Sequence, residues 1–200
     1  MFDDTFKTIS IPSEGLYKEK GSKFIGYAYP VKSEAEVKDL VAKLKKEHHS
    51  ARHHCYAFRL LPDKSVFRSN DDGEPSGTAG KPILGQILSN DLTNVLVVVV
   101  RYFGGTLLGV SGLIKAYKTA AAEAIANAEI ITKTIDVRYE ITCSYIQLND
   151  VMRIIKQENI QVISQQSSEN SVLIIELRKS MEERSVALFR KLDGIRVASI

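Results

Sequence analysis

The chain has 200 residues, enough for one or two domains. Its 44% hydrophobic and 26% charged content is that of a chain that buries a core, which excludes disorder, collagen and coiled coil. A net charge of +3 and a pI near 8.7 are too weakly basic to demand nucleic acid, yet they allow a local basic patch.

The longest apolar run, Val95–Val100, falls far short of the roughly 20 residues of a membrane-spanning helix, so no membrane association is expected. Met1-Phe2-Asp3-Asp4 places acids where a secretory signal carries Lys or Arg, and no export signal is expected. Cys55 and Cys143 fall in segments that read as separate elements. That argues against a disulfide and for a reducing cytoplasm.

Taken in chain order, Phe24–Val31 reads as a strand. Ser33 and Glu36 then form a capping-box pattern at the head of a helix running to about Glu47, with Val37, Leu40, Val41 and Leu44 at helical spacing. His54, Tyr56, Phe58 and Leu60 alternate with His53, Cys55, Ala57 and Arg59, so the two sets face opposite sides of a strand. A turn at 61–64 leads to a second hairpin arm at Val66-Phe67. After a dense loop, Asn70–Pro82, a short helix carries Ile83, Ile87 and Leu88. Val95–Val100 is apolar on both faces, as a central strand covered above and below requires. A glycine-rich connection, Arg101–Ser111, precedes a helix from Leu113 to about Ala128. A boundary is expected near Thr134–Asp136. The remainder reads strand, helix, strand, strand, helix, strand, with capping-box pairs Ser144/Gln147 and Ser180/Glu183 and a helix-ending Gly194.

Three groups of residues suggest chemistry. Gly104, Gly105, Gly109 and Gly112 join a buried strand to a helix, where backbone N–H groups and the helix dipole favour an anion. The loop matches neither nucleotide-binding glycine pattern, and its glycines are explained more readily by positive φ angles and tight packing than by a ligand. Arg101 at the strand end, with Lys115 and Lys118 early in the next helix, makes better sense beside a bound anion. Asp71, Asp72 and Glu74 supply hard oxygen ligands suited to Mg²⁺. Set against that, Asp and Asn cap turns through their own backbones, and Gly73, Pro75 and Gly77 are turn residues, so a rigid solvated loop is expected instead of a metal site. His48, His49, His53 and His54 fall within seven residues, followed by Cys55. No second Cys or His cluster completes a zinc site, and His53 and Cys55 lie too far apart along a strand for a nucleophile–base pair. Arg52, His53 and His54 fit better as part of an anion-binding surface.

The run Asp71-Asp72-Gly73-Glu74-Pro75-Ser76-Gly77-Thr78-Ala79-Gly80-Lys81-Pro82-Ile83, with Val97-Val98-Val99-Val100-Arg101-Tyr102-Phe103-Gly104-Gly105-Thr106 and Leu108-Gly109, resembles the signature of the IMPACT family in its bacterial branch. Lys20-Gly21-Ser22-Lys23-Phe24 and His53-His54-Cys55-Tyr56-Ala57 are similar to that family as well. The resemblance implies an α+β chain of two domains. Residues 1–134 would resemble the second domain of ribosomal protein S5, a β-sheet with helices on one face. Residues 135–200 would form a ferredoxin-like βαββαβ domain resembling the fifth domain of elongation factor G.

Eukaryotic relatives regulate translation through a kinase-activating partner, using an added N-terminal domain, and that mode of action is not carried over. No catalytic activity and no cofactor come with the resemblance, only a proposed nucleic-acid-binding role. The leading expectation is a cytoplasmic, RNA- or ribosome-associated protein that grips phosphates through Arg52, His53, His54, Lys81, Arg101, Gly104, Gly105, Lys115 and Lys118. Tyr102 and Phe103 are candidates for stacking on bases or for the core. Two alternatives stand beside it: a metal-dependent enzyme acting on a phosphorylated small molecule through Asp71, Asp72 and Glu74, and a protein-interaction adaptor without ligand chemistry. Oligomeric state is not indicated.

Overall fold

Val95–Val100 becomes the middle of a five-stranded sheet in the computed structural model, which describes residues 4–200. Two units are present: Phe6–Lys133, and Thr134–Ile200 joined by Asp4 and Thr5.

In the first unit the elements are β1 (Thr5–Ile9), β2 (Ser13–Glu19), β3 (Ser22–Pro30), α1 (Glu34–Glu47), β4 (His53–Leu60) and β5 (Val66–Asn70). They continue with α2 (Gly80–Ser89), β6 (Val95–Tyr102), α3 (Gly109–Ala126) and β7 (Ile130–Thr134). The large sheet has the order β2-β3-β6-β4-β5 with every neighbour antiparallel, and β1 pairs separately with β7. The strands before β3, and β7, lack the clean alternation that would announce them.

One expectation is corrected here. Helices cover both faces of the large sheet, not one. On one side α1 buries Val37 and Leu44 against Tyr27, Phe58, Leu96, Val98 and Val100. On the other, α2 and α3 bury Ile83, Ile87, Ala116, Tyr117 and Ala120 against Phe24, Cys55, Ala57, Val97 and Val99. Burying one such large apolar side chain is worth about 1.5–3 kcal/mol, and β6 offers apolar side chains in both directions, so one-sided cover would leave half of them in water.

α1 begins as its sequence suggests, with the Ser33 hydroxyl accepting from the Glu36 N–H at 3.3 Å. The return bond differs: Glu36 Oε2 accepts from the N–H of Lys32, one residue before the cap.

The second unit contains β8 (Asp136–Cys143), α4 (Leu148–Gln157), β9 (Gln161–Ser167), β10 (Ser171–Arg178), α5 (Glu182–Arg190) and β11 (Arg196–Ser199). Its antiparallel sheet has the order β11-β8-β10-β9. Tyr139, Ile141, Leu173 and Ile175 pack on one face with Val151 and Ile155 of α4 and Val186 and Phe189 of α5. Both helices start later than their capping-box patterns suggest. Gln147 Oε1 accepts from the Ser144 N–H and hydroxyl across a turn, and α4 begins only at Leu148. The Ser180 hydroxyl donates to Asp4 instead of capping α5. No helix of the described residues is long and apolar enough to cross a membrane.

Candidate functional site

The antiparallel register of β4 on β6 sets His53 directly opposite Arg101, so both project from the α2/α3 face of the sheet. Further along that face the same two strands supply Cys55, Val99, Ala57 and Val97 to the core. The polar pair therefore marks the rim where the apolar interior ends. A cleft of about 540 Å³ opens there. Arg52, His53, Glu74 and Arg101 are its polar lining; Phe103, Leu107, Leu108 and the first turn of α3, at Gly109, Val110 and Leu113, complete it.

The acidic loop builds this rim by dividing three carboxylates among three tasks. Asp71 accepts the N–H groups of Gly77, Ala79 and Gly80 at 2.9, 3.1 and 2.8 Å. It thereby caps α2, whose own N-cap residue, Ala79, has no side-chain oxygen to offer. Burial pushes the Asp71 carboxyl up, but these amides and the Lys81 charge together outweigh it and hold it below its ordinary value. Asp72 accepts from the His54 N–H at 2.7 Å and from Lys45 Nζ at 2.8 Å, tying the loop to β4 and α1. Asp72 and Gly73 take positive φ, +41° and +88°, and this reversal turns Glu74 back towards the sheet.

Glu74 and Arg101 are 8% and 6% exposed, and Arg101 Nη1 donates to Glu74 Oε1 at 2.6 Å. The Tyr117 hydroxyl, from α3, donates to the same oxygen at 2.7 Å. Burial and the neighbouring Cys55 and Glu74 push the Tyr117 phenol far above its usual range, so it acts only as a neutral donor. The guanidinium is also held over the rings of Phe24 and Phe103, 5.4 and 5.6 Å from their centroids. Among the described residues Arg101 Nε has no acceptor.

His53 Nδ1 lies 2.9 Å from the Asp72 carbonyl oxygen, which can only accept, so Nδ1 carries a proton. Nε2 lies 4.0 Å from Glu74 Oε1. Arg52 is exposed and makes no hydrogen bond or ion pair among the described residues.

The expected anion-binding set is thus only partly assembled. Arg52, His53 and Arg101 share the cleft. His54 sits on the opposite face of β4, buried, and burial lowers its affinity for a proton. Lys81 is exposed on the first turn of α2, and Lys115 and Lys118 are exposed on α3 beyond its first turn, outside the cleft lining. The Gly104 N–H donates to Ser22 Oγ at 3.1 Å, and a Cβ on Gly104 would stand 1.9 Å from the Gly21 carbonyl carbon. Gly104 is therefore present for close approach of two turns. Gly105, at φ +86°, is exposed and also outside the lining. Asp71, Asp72 and Glu74 do not form a common ligand set, and no group of three potential metal-binding side chains occurs among the described residues.

No role was legible in the sequence for Tyr117, or for the cleft's apolar lining apart from Phe103. Leu107 is 82% exposed and Val110 is 60% exposed, beside a glycine-rich loop where apolar residues have no periodic partner. That mismatch was the available signal.

The model of the Impact N-terminal domain matches residues 20–125, which includes every side chain of the cleft. A relative from Haemophilus influenzae, an IMPACT family member, is 35% identical over 178 residues, covering 88% of this chain and 86% of its own. The chain belongs to the IMPACT family. Its similarity extends to YigZ of Escherichia coli, a family member 37% identical over 147 residues and matched over 72% of both chains. A crystal structure described as a hypothetical protein superposes over 100% of this chain and 98% of its own, with a TM-score of 0.74 at 28% identity. The family model and the cleft thus lie within the first unit, while the similarity to the Haemophilus influenzae relative extends into both.

Proposed function

We propose that this IMPACT family member is an RNA-associated protein linked to translation, and that the cleft between Arg52 and the start of α3 receives an RNA phosphate. The carrying observation is convergence: Arg52 and His53, ahead of and at the start of β4, and Arg101, near the end of β6, meet the first turn of α3 in one cleft. That first turn has no acidic residue and no side-chain cap, so its N–H groups and positive dipole end remain available. Glu74 meets most of the Arg101 charge, which leaves Arg52, His53 and the α3 amides as the anion-facing groups. The domain types that the family resemblance implies, ribosomal S5-like and elongation-factor-like, support a translation link. A metal-dependent enzyme has less support, because each of its three carboxylates already serves another partner.

RNA retention by the full chain across a salt series tests this reading. Phosphate contacts make affinity fall with salt, by about 0.7 in logarithmic slope per contact for single strands. An Arg52→Glu variant is expected to bind more weakly and with a shallower slope. Equal, salt-indifferent retention by both proteins refutes the reading.

A further inference from the structure

We propose that the cleft is a pocket for one terminal nucleotide bearing a phosphomonoester, and not a stretch of a groove through which RNA runs. This rests on the RNA reading above and goes beyond it by naming the chemical group that is recognised.

Extent is the first reason. Proteins that grip single strands without end preference use a charged groove that follows the backbone past several nucleotides. Here the anion-facing groups share a single cleft, and the lysines that would extend a track, Lys81, Lys115 and Lys118, lie outside it. A volume of about 540 Å³ lies within the range of small-molecule pockets, roughly 300–1,000 Å³. It suits one nucleotide.

Polarity is the second. The same cleft that Arg52 and His53 line is also lined by Phe103, Leu107 and Val110, 47%, 82% and 60% exposed, an apolar surface with no phosphate to meet. A ligand that satisfies both kinds of lining is charged at one end and flat and apolar at the other, which describes a phosphate joined to a base.

Charge is the third. A terminal phosphate carries about 1.5 to 2 negative charges near neutral pH and three acceptor oxygens, against a single charge on an internal diester. The cleft offers matching donors, the unpaired Arg52 guanidinium and the uncapped first-turn amides of α3. An internal diester would use fewer of them.

The experiment measures anisotropy of the full chain with one short single-stranded RNA in three forms, carrying a 5′-phosphate, a 3′-phosphate or hydroxyls at both ends, with AMP and adenosine as competitors. At least one phosphorylated form is expected to bind about tenfold or more tightly than the hydroxyl form, and AMP, but not adenosine, to displace it. Arg52→Glu should erase the preference, and Arg52→Gln, which adds no repulsive charge, should reduce it. Equal affinity for all three RNAs, each still weakened by salt, overturns the terminal-phosphate proposal while the RNA reading survives. Absence of salt-sensitive binding to any of them overturns both.

Discussion

Glu74 accepts from Arg101 at 2.6 Å inside a rim where both side chains are more than nine-tenths buried, so the most prominent cation of the loop-and-strand motif is matched within the molecule. Buried pairs of this kind contribute little beyond an apolar replacement of both members, but removing one member strands the other without water. The pair forms a buried part of the cleft lining, and under the reading proposed above it is Arg52 and the α3 amides that face the phosphate.

Replacing Glu74 by Leu is therefore expected to cost about 3–5 kcal/mol, and so is replacing Arg101 by Leu. The double variant should lose clearly less than the sum of the two, because neither charge is left alone. Hydrogen exchange of the β6 amides reads this directly. Additive losses would show that the two side chains are not coupled.

Asp71 holds three N–H groups at the head of α2. Asp71→Ala leaves those donors without an acceptor, at a cost of about 1–3 kcal/mol or more. Asp71→Asn, which retains one carbonyl acceptor, should cost less. Faster amide exchange confined first to Gly77–Gly80 is the expected signature. Unchanged exchange there would mean that the loop is held by other contacts.

Two glycines should respond in opposite directions. A Cβ at Gly104 would collide with the backbone of Gly21 and Ser22, at 1.9 and 2.2 Å, so Gly104→Ala forces two turns apart and should sharply lower the melting temperature. Gly85 lies inside α2 with nothing within 4 Å of such a Cβ, and Gly85→Ala should stabilise by about 0.5–1 kcal/mol. Thermal melts of the two variants against the parent decide both.

Asp4 gives the second unit an acid-sensitive contact. The Ser180 hydroxyl and the Arg178 guanidinium, which donates Nη2 and Nε to the two carboxylate oxygens at 2.7 and 3.1 Å, hold its pKa at about 2 instead of 3.8. A carboxyl whose folded pKa is depressed adds stability that is complete above its unfolded value and disappears as pH falls through the folded one. Asp4→Asn should therefore be less stable than the parent above about pH 4, and the difference should close as pH falls from 4 towards 2. Denaturant midpoints of both proteins across that range check the sign. A constant gap would assign the difference to something other than this ionisation.

Periodicity carried much of the fold. β6 reads as a two-faced strand from its unbroken run of Val and Leu, and the structure buries all of Val95–Val100 completely. The same run contradicts the one-sided helical cover that the resemblance implied, and helices do pack on both faces of the sheet. Alternation along β4 separates His53 from His54, and the two do lie on opposite faces. Capping patterns were less dependable. Ser33 caps α1, but the Ser180 hydroxyl donates to Asp4, 176 positions away, and α5 begins only at Glu182 with no side-chain cap.

What the chain alone determined is which residue types are available and which side of an element each faces, since side-chain direction follows backbone period. Only the tertiary structure decided their partners. Asp71, Asp72 and Glu74 are near neighbours in sequence and of the same chemistry, yet one caps a helix, one ties a loop to a strand and one neutralises Arg101. Charge and hydrogen bonding act over a few ångströms of space, and that distance is set by strand register and by where a loop reverses, which no local pattern contains.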